Sequence, residues 1–279
     1  MIKSALLKFL EFYGYKKVKK PYTQTYSILN SREYVLEEKQ DQSKVISFIK
    51  SIRPYNIGKE LIRVGSKKDG GYLVPNDLEG IIACFSAGVS KVSEFENHCH
   101  ELGIQQLFLA DKSVEKANLN VAHHFLPKFI GITNNNDFIT MDEWVNQSVE
   151  NTGDLLLQMD IEGAEYNSFI NMSDALLSRF RILVVEFHDL HKLWTKYSYN
   201  IITDVFNKIL QTHVCVHIHP NNYSGIDIQE DIAIPRFAEF TFIRKDRVIT
   251  QTPCTSFPHP LDFDNTNFPH IVLPEIWYK

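Results

Sequence analysis

No apolar run in these 279 residues reaches the roughly 18 needed to cross a bilayer. The N-terminus has Lys3, Lys8 and an apolar stretch but lacks an h-region followed by a small-residue cleavage site, so no secretory leader is expected. The four cysteines, Cys84, Cys99, Cys215 and Cys254, form no Cys-x-x-Cys pair, which removes zinc knuckles and dithiol redox motifs from consideration. A chain of this length needs no disulfide staple, so reduced cysteines and a cytoplasmic setting are expected. Basic excess is missing too: 29 Lys and Arg face 34 Asp and Glu, a net charge of -5, which argues against a dedicated nucleic-acid binder. There is no Gly-x-Gly-x-x-Gly, no internal repeat and no low-complexity tract. What remains, at 44% hydrophobic and 23% charged, is ordinary globular composition. The length suits one sizeable domain plus a small extension.

The extension is expected over 1–55. Within it, 2–15 sets Leu6, Leu7, Phe9, Leu10 and Phe12 among lysines and a glutamate, the pattern of an amphipathic helix. Such a helix packs on the main domain or on a second copy, which makes a homodimer through it reasonable. Lys16, Lys17, Lys19 and Lys20 read as a solvated stretch. A second helix is expected over 37–52, ending at Arg53-Pro54. From residue 56 to 279 the chain reads as one α/β domain. Short apolar runs at 81–85, 106–110, 129–132, 155–159, 182–187, 215–218 and 240–243 alternate with helix-like stretches at 93–102, 114–121, 141–148, 166–177 and 201–210. Continuous apolar strands separated by helices imply a mostly parallel sheet covered on both faces. The last two runs lack a helix between them and suggest an antiparallel, hairpin-like edge. The segment 256–279, rich in Pro, Phe and Asn, reads as a tail draped over the surface.

Ligands of open α/β sheets bind at the carboxyl ends of the strands, so the residues after each run carry the functional argument. The first run ends in Ser86-Ala87-Gly88, small residues before a helix start, where backbone can approach a ligand; an ordinary tight turn is the plain alternative. The second ends at Asp111, one β-α unit on, where a carboxylate can accept both hydrogen bonds of a ribose diol or merely cap a helix. The fourth ends in Asp160-Ile161-Glu162-Gly163-Ala164-Glu165. Its two glutamates fit a helix N-terminus, whereas Asp160 sits at the strand tip. The fifth ends in Glu186-Phe187-His188, whose alternation puts Glu186 and His188 on one side. With Asp160 they form a group able to bind a divalent metal or deprotonate a hydroxyl. The sixth ends in His217-Ile218-His219-Pro220-Asn221-Asn222. Its histidines share a face, and its asparagines can bond a sugar or form a turn. Upstream, Asp69-Gly70-Gly71-Tyr72 carries a double glycine suited to a turn or to close ligand approach.

At this point the sequence resembles the FkbM-type methyltransferases. Leu155-Leu156-Leu157-Gln158-Met159-Asp160-Ile161-Glu162-Gly163-Ala164-Glu165 is similar to that family's strand followed by Asp-Val-Glu-Gly-Ala-Glu. Thr140-Met141-Asp142 upstream and Val185-Glu186-Phe187-His188 downstream match further pieces, and Asp69-Gly70-Gly71-Tyr72 resembles a segment of a related group. The resemblance covers roughly residues 60 to 245. It implies a Rossmann-like class I methyltransferase fold, with seven strands and the last one antiparallel, and S-adenosylmethionine as cofactor. It places Ser86, Ala87 and Gly88 at the methionine moiety, Asp111 at the ribose and the 132–134 loop near the adenine. Asp69, Gly70, Tyr72, Lys112, Ile132, Thr133 and Asp160 complete the expected cofactor set. Two departures stand out: the glycine-rich turn is reduced to Ser86-Ala87-Gly88, and Gln158 stands where a lysine is frequent.

The expected chemistry is O-methylation of a small molecule, a sugar or nucleotide-linked sugar of a capsule or lipopolysaccharide pathway. His188 is the leading base, with Asp160 and Glu186 orienting it or sharing a divalent metal with it; His219 is the second candidate. Glu162, His217, Asn221 and Asn222 are expected on the acceptor side. A metal-dependent hydrolase built on Asp160, Glu186 and His188 is the rival class. A nicotinamide oxidoreductase is disfavoured by the missing fingerprint.

Overall fold

The computed structural model describes residues 37–89, 93–150 and 152–279. The 2–15 segment, its lysine-rich continuation and the dimer expected through it lie outside these residues. Gln40–Lys279 forms one compact unit, which holds all the elements below.

Helix α1 (Gln42–Ser51) buries Val45, Phe48 and Ile49 on one stripe. It starts later than the expected 37, because the Gln40 N–H is drawn to the Trp194 carbonyl at 2.8 Å. Strand β1 (Tyr55–Asn56) is followed by the hairpin of β2 (Leu61–Gly65) and β3 (Gly71–Pro75). Next come β4 (Ile81–Ala87), α2 (Glu94–Glu101), β5 (Gln106–Ala110), β6 (His124–Leu126), β7 (Phe129–Ile130) and β8 (Phe138–Ile139). Helix α3 (Met141–Ser148) leads to β9 (Asp154–Met159), α4 (Glu165–Asn171), α5 (Asp174–Leu177) and β10 (Phe180–Phe187). Helix α6 (Lys196–Thr212), β11 (His213–Pro220), β12 (Ile226–Gln229), β13 (Ile232–Pro235), β14 (Ala238–Arg244) and β15 (Thr252–Pro253) complete the order.

Seven strands form the central sheet in the order β11-β14-β10-β9-β4-β5-β6. All neighbouring pairs are parallel except those of β14, which runs antiparallel to both β10 and β11. The chain order reverses between β4 and β9, so their carboxyl ends open the crevice that binds ligands in such sheets. Every residue of β10 and β11 is buried, as expected for strands covered on both faces. Phe187, Phe206, Phe240 and Trp277 pack under the crevice with essentially no exposure, and each phenylalanine adds about 1.5–3 kcal/mol by burial.

Four expectations are corrected and one is met. The third sheet strand is His124–Leu126, while Phe129–Ile130 pairs with Phe138–Ile139 in a separate two-stranded ladder. The apolar run at 129–132 was the stronger signal, but an edge strand needs only Phe125 and Leu126 facing the core. No helix forms over 114–121, where Asn118 and Asn120 interrupt the pattern and the Asn120 N–H bonds Asn97 Oδ1 at 3.2 Å. The stretch 166–177 breaks at Met172-Ser173, because Ser173 caps α5 by accepting from the Leu176 N–H at 3.1 Å. The two final runs pair antiparallel at the edge of the sheet, as expected, with β11 outermost and β14 next to it. The 256–279 segment is not a loose surface drape: Leu273, Trp277 and Asn265 are buried, and Trp277 Nε1 donates to the Ala233 carbonyl at 3.1 Å.

Among the described residues no helix is long and apolar enough to cross a membrane.

Candidate active site

The tips of β4, β5 and β9 are joined by backbone hydrogen bonds. The Asp160 N–H bonds the Ala87 carbonyl at 2.9 Å and the Gly88 N–H bonds the Ala110 carbonyl at 3.1 Å. Gly88 has φ +77°, and a Cβ there would lie 1.6 Å from the Asp160 carbonyl oxygen. A glycine is therefore required, and the single glycine of Ser86-Ala87-Gly88 is sufficient for this turn.

Two cavities flank Gly88 and Asp160. One, about 280 Å³, is a largely apolar slot between Phe129, Ile130 and Phe138 on one side and Ile161 and Ala164 on the other, with Asp111 beside Ala110. The other, about 70 Å³, is polar and lined by Asp69, Gly70, Tyr72, Ser93, Glu96 and Gln158. Together they reach the lower end of the roughly 300–1,000 Å³ typical of small-molecule sites. Asp111 accepts from the Val89 N–H at 3.1 Å and the Ser113 N–H at 2.6 Å. No helix follows it, so it does not serve as a helix cap. Each of its oxygens keeps a lone pair for a diol. An apolar slot for a heteroaromatic ring, an acid beside it and a polar end fit an adenosine-containing cofactor. Ile132 is exposed, and neither it nor Thr133 lines the slot, whose wall is formed by Phe129 and Phe138. Lys112 pairs with Asp137 at the surface.

The polar cavity rests on a buried chain of hydrogen bonds. Ser86 Oγ is bonded both to Glu96 and, at 2.7 Å, to Gln158 Oε1; Gln158 Nε2 donates to the Tyr72 hydroxyl at 3.3 Å. Burial raises the proton affinity of the Glu96 carboxyl that takes part in this chain. Gln158, the departure from the usual lysine, is thus a neutral link in this chain.

The acidic segment after β9 has a different centre from the one its sequence suggests. Glu165 is fully buried, and its Oε1 accepts from the Ile161 N–H at 3.0 Å, the Gly163 N–H at 3.1 Å and His188 Nδ1 at 3.1 Å. It fixes the turn, in which Glu162 and Gly163 have positive φ, and it orients the histidine. The Tyr166 hydroxyl anchors the same residue by donating to the His188 carbonyl at 2.8 Å. His188 Nε2 then faces the crevice, 3.8 Å from Asp160 Oδ1, 3.6 Å from Glu162 Oε2 and 4.0 Å from Glu186 Oε1. Burial opposes charge on this ring, but the bond to Glu165 and the surrounding carboxylates outweigh it, so it titrates above its ordinary value. Burial pushes Asp160 up to about 7, and its Oδ1 is buried without a hydrogen-bond partner. Burial likewise raises Glu186 well above the carboxylate range, with Asp160, Glu239 and Asp69 adding to the effect.

His219, Glu239 and Glu186 stand in register across β11, β14 and β10, in one row on the same side of the sheet. The tail completes this end. Asp262 lies 3.1 Å from His217 Nε2 and 3.7 Å from His219 Nδ1. Burial disfavours its charge, yet the two imidazoles hold it well below the usual carboxylate range. Asn265 Nδ2 donates to Glu239 at 2.6 Å and reaches Asp69 at 3.3 Å. Asn221 Nδ2 donates to Glu186 Oε1 at 2.9 Å and so positions that carboxyl. Asn222 corrects an expectation. Its amide is spent on the tail, donating to the Thr266 and Phe268 carbonyls and accepting from Thr266, which leaves it a structural clamp with nothing to offer an acceptor. Sequence reasoning missed Asp262, Asn265 and Glu239. The two tail residues carried no positional signal, and Glu239 is the first acid of an otherwise apolar strand.

The chain belongs to the family of FkbM methyltransferase domains, whose model matches residues 73–213. Membership implies S-adenosylmethionine-dependent methyl transfer and sets aside the hydrolase and oxidoreductase readings. No curated protein matches the sequence. A solved structure described as an RNA methyltransferase from Pyrococcus horikoshii aligns at 6% identity and TM-score 0.28, over 81% of this chain and 99% of that one. A superposition that loose adds nothing to the argument.

If Asp111 holds the ribose, Asp111→Ala weakens S-adenosylhomocysteine binding by about 10- to 100-fold, the value of one or two hydrogen bonds to a charged group. Isothermal calorimetry measures this directly; unchanged affinity would remove Asp111 from the cofactor set.

Proposed function

We propose that this protein transfers a methyl group from S-adenosylmethionine to a hydroxyl of a sugar-like acceptor, with His188 as the general base. One observation carries the reading: the buried Glu165 holds His188 Nδ1, so Nε2 is turned into the crevice beside Asp160. The adenosine moiety is assigned to the slot of Phe129, Ile130, Phe138 and Asp111. The methionine moiety is assigned to the polar cavity of Asp69, Gly70, Tyr72 and Gln158. When bound, the cofactor supplies an electrophilic methyl group on a neutral leaving sulfide, so the protein's own task is alignment and proton removal.

A hydroxyl oxygen placed near His188 Nε2 gives up its proton to that nitrogen as the methyl group arrives. The Glu165 carboxylate then faces an imidazolium and stabilises it, while Nδ1 keeps its hydrogen bond throughout. Asp160 and Glu186, both with raised proton affinity, accept or donate hydrogen bonds to neighbouring acceptor hydroxyls according to their protonation. Asn221 keeps Glu186 aimed at that space. His219, next to Asp262, is the second candidate base, but it stands further along the row from Asp160.

The sugar class rests on the polar side chains gathered at these strand ends: Asp69 and Asp160 line the cavities, with Glu186, Glu239, Asn265 and His219 buried behind them. The reading is tested with labelled S-adenosylmethionine and a panel of free sugars, glycosides and sugar nucleotides. Label transferred to a hydroxyl oxygen of one of them is the expected result. Label found on nitrogen or carbon would overturn the assignment of O-methylation.

A further inference from the structure

Two groups of ionisable side chains converge below the crevice, and they are chemically different. In the first, Asp160, Glu165 and His188, Glu165 Oε1 already serves three N–H groups, one of them His188 Nδ1, while Glu165 Oε2 and Asp160 Oδ1 are buried without partners. In the second, one carboxylate oxygen each from Asp69, Glu186 and Glu239 lie within 4.8 Å of one another. There the asparagines take up only one oxygen of each glutamate: Asn221 bonds Glu186 Oε1 and Asn265 bonds Glu239 Oε1. Among the described residues no hydrogen bond reaches the other oxygen of either glutamate.

Three carboxylates would be an unremarkable acid cluster if nothing else pointed at a ligand. His219 does. It is 4% exposed, it stands beside Glu239 in the same cross-strand row, its Nε2 has no partner, and its Nδ1 has only Asp262, 3.7 Å away. Asn265, 6% exposed and bonded through Nδ2 to Glu239 and Asp69, has an unpartnered Oδ1. A buried imidazole nitrogen and a buried amide oxygen left without hydrogen bonds are unfavourable unless something bonds them. The nearby cation Arg63 does not compensate the acids directly. Its guanidinium donates to the backbone carbonyls of Ser66, Lys68 and Leu261.

We infer that Asp69, Glu186 and Glu239 hold a divalent cation of the oxygen-preferring kind, Mg²⁺, Mn²⁺ or Ca²⁺, with His219 or a water bonded to it completing the shell. Carboxylate oxygens suit these hard ions, and a mixed carboxylate and imidazole set suits Mn²⁺ among them. The three acids come from the β2–β3 turn and from the tips of β10 and β14, so the cation would tie the hairpin to the sheet. This site differs from the Asp160, Glu186 and His188 set suggested by sequence, sharing only Glu186. Cation binding does not depend on the methyl-transfer reading. If both hold, the ion would sit on the acceptor side and orient or acidify a substrate hydroxyl.

The test is direct binding of Mn²⁺ to the full-length protein after chelation, followed by the electron paramagnetic resonance signal of free Mn²⁺ near neutral pH. One ion per chain is expected. Glu239→Gln and Asp69→Asn should each weaken binding by about tenfold or more, while Glu165→Gln leaves it unchanged. Unfolding curves of each variant establish that it is folded. Absence of stoichiometric binding by the folded wild-type protein at millimolar Mn²⁺, Mg²⁺ or Ca²⁺ would overturn the inference, the last two read by calorimetry. So would binding lost in Glu165→Gln but kept in Glu239→Gln, which would move the ion to the His188 group. Methyl transfer without any cation dependence leaves the binding result as it stands, so the two readings fail separately.

Discussion

Replacing His188 by alanine should lower kcat with a competent acceptor by about 100- to 10,000-fold, the usual contribution of a positioned general base. Cofactor affinity should hardly change, because His188 lines neither the adenosine slot nor the polar cavity. The pH dependence gives the same argument a second handle. The ring is raised above its ordinary value of about 6.5 by Glu165 and the neighbouring carboxylates, after burial has worked the other way. A base must be neutral, so the wild-type rate should fall as pH is lowered through this raised value. Glu165→Gln removes the charge that raises it, and the inflexion should move to lower pH. Stability runs opposite to activity. A histidine with a raised folded pKa contributes stability that is complete below about pH 6.5 and is lost as pH rises through the folded value. Steady-state rates over a pH series, with unfolding midpoints over the same series, check both signs. Near-normal turnover in both His188→Ala and His219→Ala would eliminate the histidine-base mechanism.

Gly88→Ala should be the most damaging single change among the glycines of the crevice. Its φ of +77° already strains any other residue, and the new Cβ would fall 1.6 Å from the Asp160 carbonyl oxygen. The backbone of β4 and β9 has to separate, at a cost of about 2–5 kcal/mol when the conformational and packing contributions combine. Because both cavities meet at Gly88 and Asp160, cofactor binding should go with it. Gly103→Ala is the control: φ is +104° there, but nothing lies within 4 Å of the added carbon. It should show the conformational cost alone, about 1–2 kcal/mol, with S-adenosylhomocysteine affinity intact. Urea unfolding and calorimetry on the two variants measure the difference. Equal loss in both would mean that the close approach of the two strand tips is of no consequence.

How far these conclusions could be read from sequence depends on the kind of residue. Strands buried on both faces announce themselves, as Leu155-Leu156-Leu157 and Ile182 to Phe187 do, because a covered strand must be continuously apolar. The antiparallel character of the final pair followed from the absence of a crossover helix. The edge strand His124–Leu126 did not, since one face of it needs little hydrophobicity and a stronger run followed a few residues later. Within the site, alternation correctly brought Glu186 and His188 to one side, and His217 and His219 likewise. Glu165 does shape the turn and helix start as expected, but its bond to His188 was not legible, for a physical reason. A glutamate at a helix start looks like a partner for the helix dipole, and only the fold shows that β10 delivers a histidine to the same oxygen. Asp262 and Asn265 sit in a tail with no periodicity at all, so their partners 45 and 26 residues away could not be inferred.

The tail has a consequence beyond closing one end of the crevice. The family match ends at residue 213, before β11 begins to deliver its two crevice histidines, and starts after Asp69. His217, His219, Glu239, Asp262 and Asn265 all come from the stretch beyond it, while Gly88, Asp111 and Asp160 lie within it. The part of the chain beyond the match is built into the same sheet, because β14 pairs with β10 on one side and β11 on the other. Exchanging everything after α6 between relatives would therefore also exchange a strand that pairs with β10 at six positions, and would have to keep that register to keep the fold.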